Sequence, residues 1–172
     1  MNTKQKGTIA QLKIAADLSQ RGYQIWEPHG EFGNIDLMFC REPDKPGIYQ
    51  RVGPGEWIDR VQVKYTKSNG EYIKVRSRCH SVTAGRVGST KYYTQQLIDW
   101  IAIYDDTSST CYYVPAFVLG DGMSELRLRL TGGNANPSIR WAKDYLNPVW
   151  SSGQGCSPVT REGTDSNSVA GA

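Results

Sequence analysis

Apolar residues recur at helical spacing over residues 3–21, with Ile14, Ala15 and Leu18 on one side and Ile9 and Leu12 flanking, and Gly22 follows as a helix terminator. The spacing predicts a helix. Gln11 falls on its Gly7, Ile14, Ala15 and Leu18 side, so the amide either finds a hydrogen-bond partner in the core or faces a site. Beyond Gly22 the repeat shortens towards two. Tyr23-Gln24-Ile25-Trp26 reads as a first strand ended by Pro28 and Gly30, residues 33–39 as a second, and residues 57–66 as a third. Between the second and third, Pro43, Pro46, Gly47, Gly53, Pro54 and Gly55 mark a loop or splayed hairpin.

Asn69-Gly70 is a tight-turn signal ahead of a short basic strand over residues 72–78, and residues 81–89, with Gly85-Arg86-Val87-Gly88, read as an exposed basic loop. A short helix capped by Thr94 is predicted over residues 94–99. Residues 100–104 and 111–114 read as buried strands joined by the turn Asp105-Asp106-Thr107-Ser108-Ser109. A helical turn over residues 115–119, an alternating strand over residues 126–130 with Arg127 and Arg129 on one side, and a short helix over residues 139–146 complete the pattern. From residue 151 onward Gly, Ser, Thr and Asn dominate, which predicts a disordered tail after one domain over residues 1–150. The order of elements suits an α/β core with a mixed sheet.

A chain of 172 residues with 38% apolar residues can build one substantial core. No run approaches the length of a membrane span and the amino terminus has no apolar signal core, so the expectation is a soluble cytoplasmic protein. Cys40, Cys79, Cys111 and Cys156 are widely spaced with only His29 and His80 to assist them, which argues against a zinc site or a disulfide framework. The net charge of +3 is unevenly spread: eight basic residues lie between Arg60 and Lys91 against the single acid Glu71. A local excess of that size suits a polyanion, because each neutralised phosphate releases condensed counterions. Lys67, Lys74, Arg76, Arg78 and Arg86 are the candidate DNA contacts, the arginines suited to guanine edges and the lysines to phosphates. Trp26, Trp57, Trp100 and Trp141 are expected in the core or at a subunit interface.

The chemistry sits in the second and third strands. Gln62 and Lys64 are two apart and share a strand face, and Asp36 joins them if the two strands pair. A carboxylate beside an amide and an ammonium would hold a hard divalent cation and a phosphate oxygen together, as phosphodiester hydrolysis requires.

Asp36 followed by Gln62-Val63-Lys64 resembles the PD-(D/E)XK nuclease superfamily, with Gln in the (D/E) slot. The stretches Lys6-Gly7-Thr8-Ile9-Ala10, Arg21-Gly22-Tyr23, Val61-Gln62-Val63-Lys64-Tyr65-Thr66, Tyr112-Tyr113-Val114-Pro115 and Ile139-Arg140-Trp141-Ala142-Lys143-Asp144-Tyr145-Leu146 resemble the branch that includes group I intron-encoded homing endonucleases. The resemblance implies a nuclease core with a central mixed sheet flanked by helices, a Mg2+ or Mn2+ cofactor, double-stranded DNA as substrate and a role in intron homing. It also implies a catalytic set of Gln11, Asp36, Gln62 and Lys64, with Asp36, Gln11 and the Val63 carbonyl as metal ligands. Lys64 would contact the phosphate or help deprotonate the attacking water. A domain this small reads a long site only by assembling, so a homodimer or homotetramer is expected.

Gln11 departs from the resemblance, which implies a Glu on the first helix. With Gln at positions 11 and 62, Asp36 is the only carboxylate at the matching positions, and one negative charge holds a divalent cation weakly. Weak metal binding and low activity follow, whether through a shape-preserving inactivating substitution or through drift to a binding-only protein. The competing readings are a structure-selective nuclease of the Holliday-junction resolvase kind and a catalytically silent DNA-binding module.

Overall fold

The computed structural model describes residues 1–29, 33–41, 58–83, 86–132 and 138–148, with the backbone alone at residues 41, 80–83 and 86–89. The first helix, α1 (Thr3–Gln20), starts in a reciprocal cap: the Asn2 side chain accepts from the Gln5 N–H and the Gln5 side chain accepts from the Asn2 N–H, both at 2.9 Å. It ends at Gln20, and after the C-cap Arg21 comes Gly22, whose φ of 82° turns the chain into the sheet.

Five strands form the central sheet: β1 (Tyr23–Trp26), β2 (Leu37–Arg41), β3 (Asp59–Thr66), β7 (Trp100–Asp105) and β8 (Thr110–Pro115). They lie in the order β1-β2-β3-β7-β8, antiparallel except for the parallel pair β3 and β7, so the sheet is mixed. Between them in sequence come β4 (Tyr72–Arg76), β5 (Arg78–Thr83) and β6 (Arg86–Tyr92), and β9 (Glu125–Arg129) follows. β4 pairs with β9 and β5 pairs with β6, each as a separate two-stranded ribbon.

Strand alternation divides the core in two. Ala10, Ile14 and Leu18 of α1 pack with Leu37, Phe39, Val61, Val63, Trp100, Ala102 and Tyr113 in one apolar cluster. Ile101, Ile103, Tyr112 and Val114 pack with Ile73, Val75, Leu126 and Leu128 of the β4–β9 ribbon in the other. Neighbouring residues of β7 therefore face opposite sides, and the sheet is covered on both. Tyr113 donates to Asp17 Oδ2 at 2.5 Å and Arg21 Nε meets the same oxygen at 2.7 Å, which ties the end of α1 to β8.

Several elements differ from the sequence expectation. The basic strand breaks at the fully buried Ser77, whose N–H bonds to the Ser124 carbonyl at 3.2 Å, and strand β5 starts directly after it. The expected loop over residues 81–89 is instead largely β5 and β6 of a hairpin, because Arg78 to Thr83 pair across to Tyr92 and Arg86. Residues 94–99 make one turn, closed by the Leu97 and Ile98 N–H groups on the Thr94 carbonyl, rather than a helix; Asp99 is drawn off to pair with Arg60. The expected helix over residues 139–146 is a four-residue 3-10 turn, Ala142–Tyr145. Of the tryptophans, Trp100 is buried and Trp26 is 40% exposed. Trp57, the loop over residues 42–56 and the tail from residue 151 lie outside the described residues.

Candidate active site

Asp36 stands immediately before β2, with its N–H on the Val61 carbonyl at 2.8 Å. The register pairs Leu37 with Val61, so Asp36 comes beside Gln62. Its carboxylate oxygen Oδ2 accepts from the Val63 N–H at 2.7 Å and from Gln62 Nε2. The same Gln62 nitrogen lies 3.4 Å from the Val63 carbonyl, so one amide spans the two oxygens. Gln11 reaches the residue from α1, but through the backbone: its Nε2 donates to the Asp36 carbonyl at 3.2 Å.

Lys64, two residues along β3 from Gln62, shares its face. Its Nζ donates to the Tyr93 hydroxyl at 3.1 Å and lies 4.6 Å from the centre of that ring. Burial pushes the Lys64 ammonium down from its usual range, opposed by the nearby Asp36 charge. Burial likewise pushes the Asp36 carboxyl up, opposed by the Val63 N–H and by Lys64. Burial thus acts against the charged form of both the acid and the neighbouring base, a combination frequent at functional sites.

Asp36, Gln62, Val63, Lys64 and Gln11, expected together, do come together. The candidate DNA contacts are more scattered. Lys67 pairs with Asp106 at 3.1 Å and Lys74 with Glu125 at 2.8 Å, while Arg76 is exposed on β4. Arg78 begins the β5–β6 hairpin, and the Arg86 side chain lies outside the described residues. The β4–β9 register brings Lys74 opposite Arg127 and Tyr72 opposite Arg129, joining two basic stripes distant in sequence into one outward surface. Arg127 and Arg129 are absent from the sequence-derived contact set; the alternation of residues 126–130 marks their shared side but not their neighbour. Tyr93 is likewise missed, since nothing in Lys91-Tyr92-Tyr93-Thr94 distinguishes the buried tyrosine from the exposed one.

The model of a PD-(D/E)XK endonuclease family matches residues 1–148. The chain belongs to that family. The fold of this PD-(D/E)XK endonuclease is similar to that of a solved bacterial homing endonuclease, I-Ssp6803I, with a TM-score of 0.58 and 23% identity over 84% of this chain and 88% of the other. No curated protein matches the chain.

Nucleases of this family generally use divalent metal ions. Among the described residues no group of three or more His, Cys, Asp or Glu side chains could hold one, and the described cysteines Cys40, Cys79 and Cys111 form no disulfide. The donors that do converge are hard oxygens: the Asp36 carboxylate and the Val63 carbonyl, bridged here by the Gln62 amide nitrogen where a cation would otherwise satisfy both. That donor set fits a hard divalent ion with one carboxylate, the arrangement in which phosphate oxygens complete the shell. No described helix is long and apolar enough to cross a membrane.

Proposed function

We propose that this chain is a sequence-specific, metal-dependent endonuclease of the homing type that hydrolyses phosphodiesters in double-stranded DNA, with Gln11, Asp36, Gln62 and Lys64 as its site. The observation that carries this reading is the meeting of Asp36, Gln62, Val63 and Lys64 at the start of β2 and the middle of β3 in a chain of this family. Asp36, the Val63 carbonyl and an amide oxygen of Gln11 or Gln62 would hold Mg2+ or Mn2+. When bound, such an ion polarises a phosphoryl oxygen and lowers the pKa of a coordinated water.

The chain's own groups account for the rest. Lys64 Nζ, with its ammonium weakly solvated, donates to a phosphoryl oxygen as charge builds there. Water oxygen bonds to phosphorus, the bond to one ester oxygen breaks, and that oxygen leaves with a proton. Gln62 orients the Asp36 carboxylate, and Gln11 holds the Asp36 backbone. The β4–β9 surface and the hairpin root supply Lys74, Arg76 and Arg78 for the duplex, with Lys67 beyond β3. A two-stranded ribbon such as β5–β6 has the width to enter a major groove. Cutting both strands requires two sites, hence a homodimer or homotetramer.

A second reading, a DNA-binding module without cleavage, is favoured by the lone carboxylate among Gln11, Asp36 and Gln62. The test is to incubate the chain and its Gln11→Glu variant with a randomised duplex library in Mg2+ or Mn2+, measuring cutting and retention together. Cutting of a defined site by either protein supports the endonuclease. Retention of a defined site with no cutting by either supports the binding module, and a preference for a four-way junction over every linear duplex would overturn both.

A further inference from the structure

Asp36 falls beside Gln62, and Lys64 lies two residues further along the same face of β3. A carboxylate and a long ammonium side chain so placed are within reach of a direct ion pair, and in a half-buried setting they would be expected to form one. Among the described residues no such pair joins them. The Lys64 ammonium is held by Tyr93, through the hydroxyl at 3.1 Å and with the ring centre at 4.6 Å.

Tyr93 is itself firmly placed. It is 3% exposed and packs in the apolar cluster with Ile73, Val75, Ile101 and Ile103. Its N–H donates to the Ser77 carbonyl at 3.0 Å, and Ser77, fully buried, donates its hydroxyl to the Met123 carbonyl. These bonds close the base of the hairpin where β4 gives way to β5 and β6 ends. The phenol is therefore fixed from the backbone side, and the flexible partner of the Tyr93–Lys64 contact is the lysine.

We infer that Tyr93 is a positioning residue: its hydroxyl holds the Lys64 ammonium beside the ring and off the Asp36 carboxylate, leaving that carboxylate's charge for a cation and the ammonium for a phosphate. The inference rests on the proposed phosphodiesterase reading for its consequence, but the placement itself is a property of the free protein. Without the phenol oxygen, Lys64 loses its acceptor and swings to the nearest anionic oxygen, that of Asp36. A quenched pair would then oppose both cation binding and phosphate contact. Because Tyr93 closes the hairpin base, anything that moves the hairpin also moves the lysine's anchor.

The experiment compares the native chain with Tyr93→Phe, which keeps the ring and removes the acceptor, and with Tyr93→Leu, which removes both; far-UV circular dichroism checks that each is folded. The readout in the free protein is the nuclear magnetic resonance of the Lys64 side-chain methylenes, expected to carry a ring-current shift from Tyr93 in the native chain, where Nζ lies 4.6 Å from the ring centre. In Tyr93→Phe that shift is expected to be lost as the lysine leaves the ring; if it persists unchanged, the hydroxyl does not hold the lysine and the inference fails. Should Tyr93→Leu not fold, the Phe variant alone decides. On a duplex selected from the randomised library, turnover is expected to fall by about 10²-fold with KM unchanged, as for a misplaced catalytic group. A rise in KM with turnover intact would instead make Tyr93 a DNA-binding residue and overturn the inference. If no protein cuts any duplex, the nuclease reading fails while the resonance shift still decides the placement of Lys64.

Discussion

The Gln62 amide nitrogen faces the Asp36 carboxylate and lies 3.4 Å from the Val63 carbonyl, so a neutral donor stands between the two oxygens best suited to a cation. On the proposed reading, a cation at this position would displace the N–H group, and turning the amide over would bring the Gln62 oxygen to it. The arrangement satisfies these oxygens in the free protein, and it would compete with a metal.

Gln62→Glu should reverse that balance. Two carboxylates in contact repel and a buried donor is gone, so the metal-free variant should be less stable by about 1–3 kcal/mol. Divalent affinity should rise by about tenfold or more, since hard cations favour anionic oxygens. Thermal melts in chelator and in Mn2+ measure both: the variant should melt below the native chain in chelator and gain more on adding Mn2+.

Gln11→Glu has two opposed effects. It adds a charge near Asp36, and it removes the N–H that now donates to the Asp36 carbonyl at 3.2 Å. Tighter Mn2+ binding with a stability loss of about 1 kcal/mol in chelator is the expected outcome. Calorimetric titration with Mn2+ showing no gain would remove position 11 from the metal site.

Asp105 is fully buried at the end of β7, yet it accepts from the Ser68 N–H and hydroxyl at 2.8 Å each and from the Ser108 hydroxyl at 2.8 Å. Burial alone would raise its pKa, but these bonds together with the Thr107 N–H hold the carboxyl below the usual carboxylate range. A depressed folded pKa contributes stability that is present above the unfolded value and is lost as pH falls through the folded one. Asp105→Ala should therefore cost about 2–4 kcal/mol at pH 7, and less in strong acid, by chemical denaturation at each pH.

Asp59, at the start of β3, has the opposite sign. Burial pushes its carboxyl up to about 6, opposed by a hydrogen bond from Trp100, and the Asp99 charge adds to the rise. Below the unfolded value both states are protonated; as pH climbs from about 4 to about 6 the unfolded chain ionises first and stability falls. Asp59→Asn keeps an acceptor for the indole and should raise stability at pH 7 by about 1 kcal/mol after allowance for partial exposure, with no gain near pH 3.

If the β4–β9 surface meets the phosphate backbone, Arg76→Ala should weaken duplex binding across sequences and reduce the slope of affinity against salt by about one charge. Lys74 should matter less, because Glu125 already holds it at 2.8 Å. An unchanged slope for both variants, measured by fluorescence anisotropy over a salt series, would exclude this surface from the interface.

Much of the molecule was legible beforehand where the signal is local. The helix α1, the strands β1, β3, β7, β8 and β9 and the turn at residues 105–109 follow from spacing, β-branched and aromatic runs, and Gly or Asp at the ends. The short helix expected over residues 94–99 failed because Asp99 is claimed by Arg60 from another strand, a competitor that no local window contains. The basic loop proved a hairpin because pairing across Gly-containing sequence depends on the partner strand rather than on propensity.

The sequence by itself determined that an amide and an ammonium would share a strand face, since the two-residue repeat of a strand leaves Gln62 and Lys64 no other choice once β3 is extended. Only the tertiary structure decided what each group touches. Pairing of Leu37 with Val61 brought Asp36 to Gln62, and packing of α1 on one side of the sheet limited Gln11 to the Asp36 backbone. Folding of the β4–β9 ribbon and the hairpin base on the other side carried Tyr93, 29 residues away in sequence, onto the Lys64 ammonium. Hydrogen bonds and buried charges act over a few ångströms in space, so only the fold sets the partners of a group whose neighbours are distant along the chain.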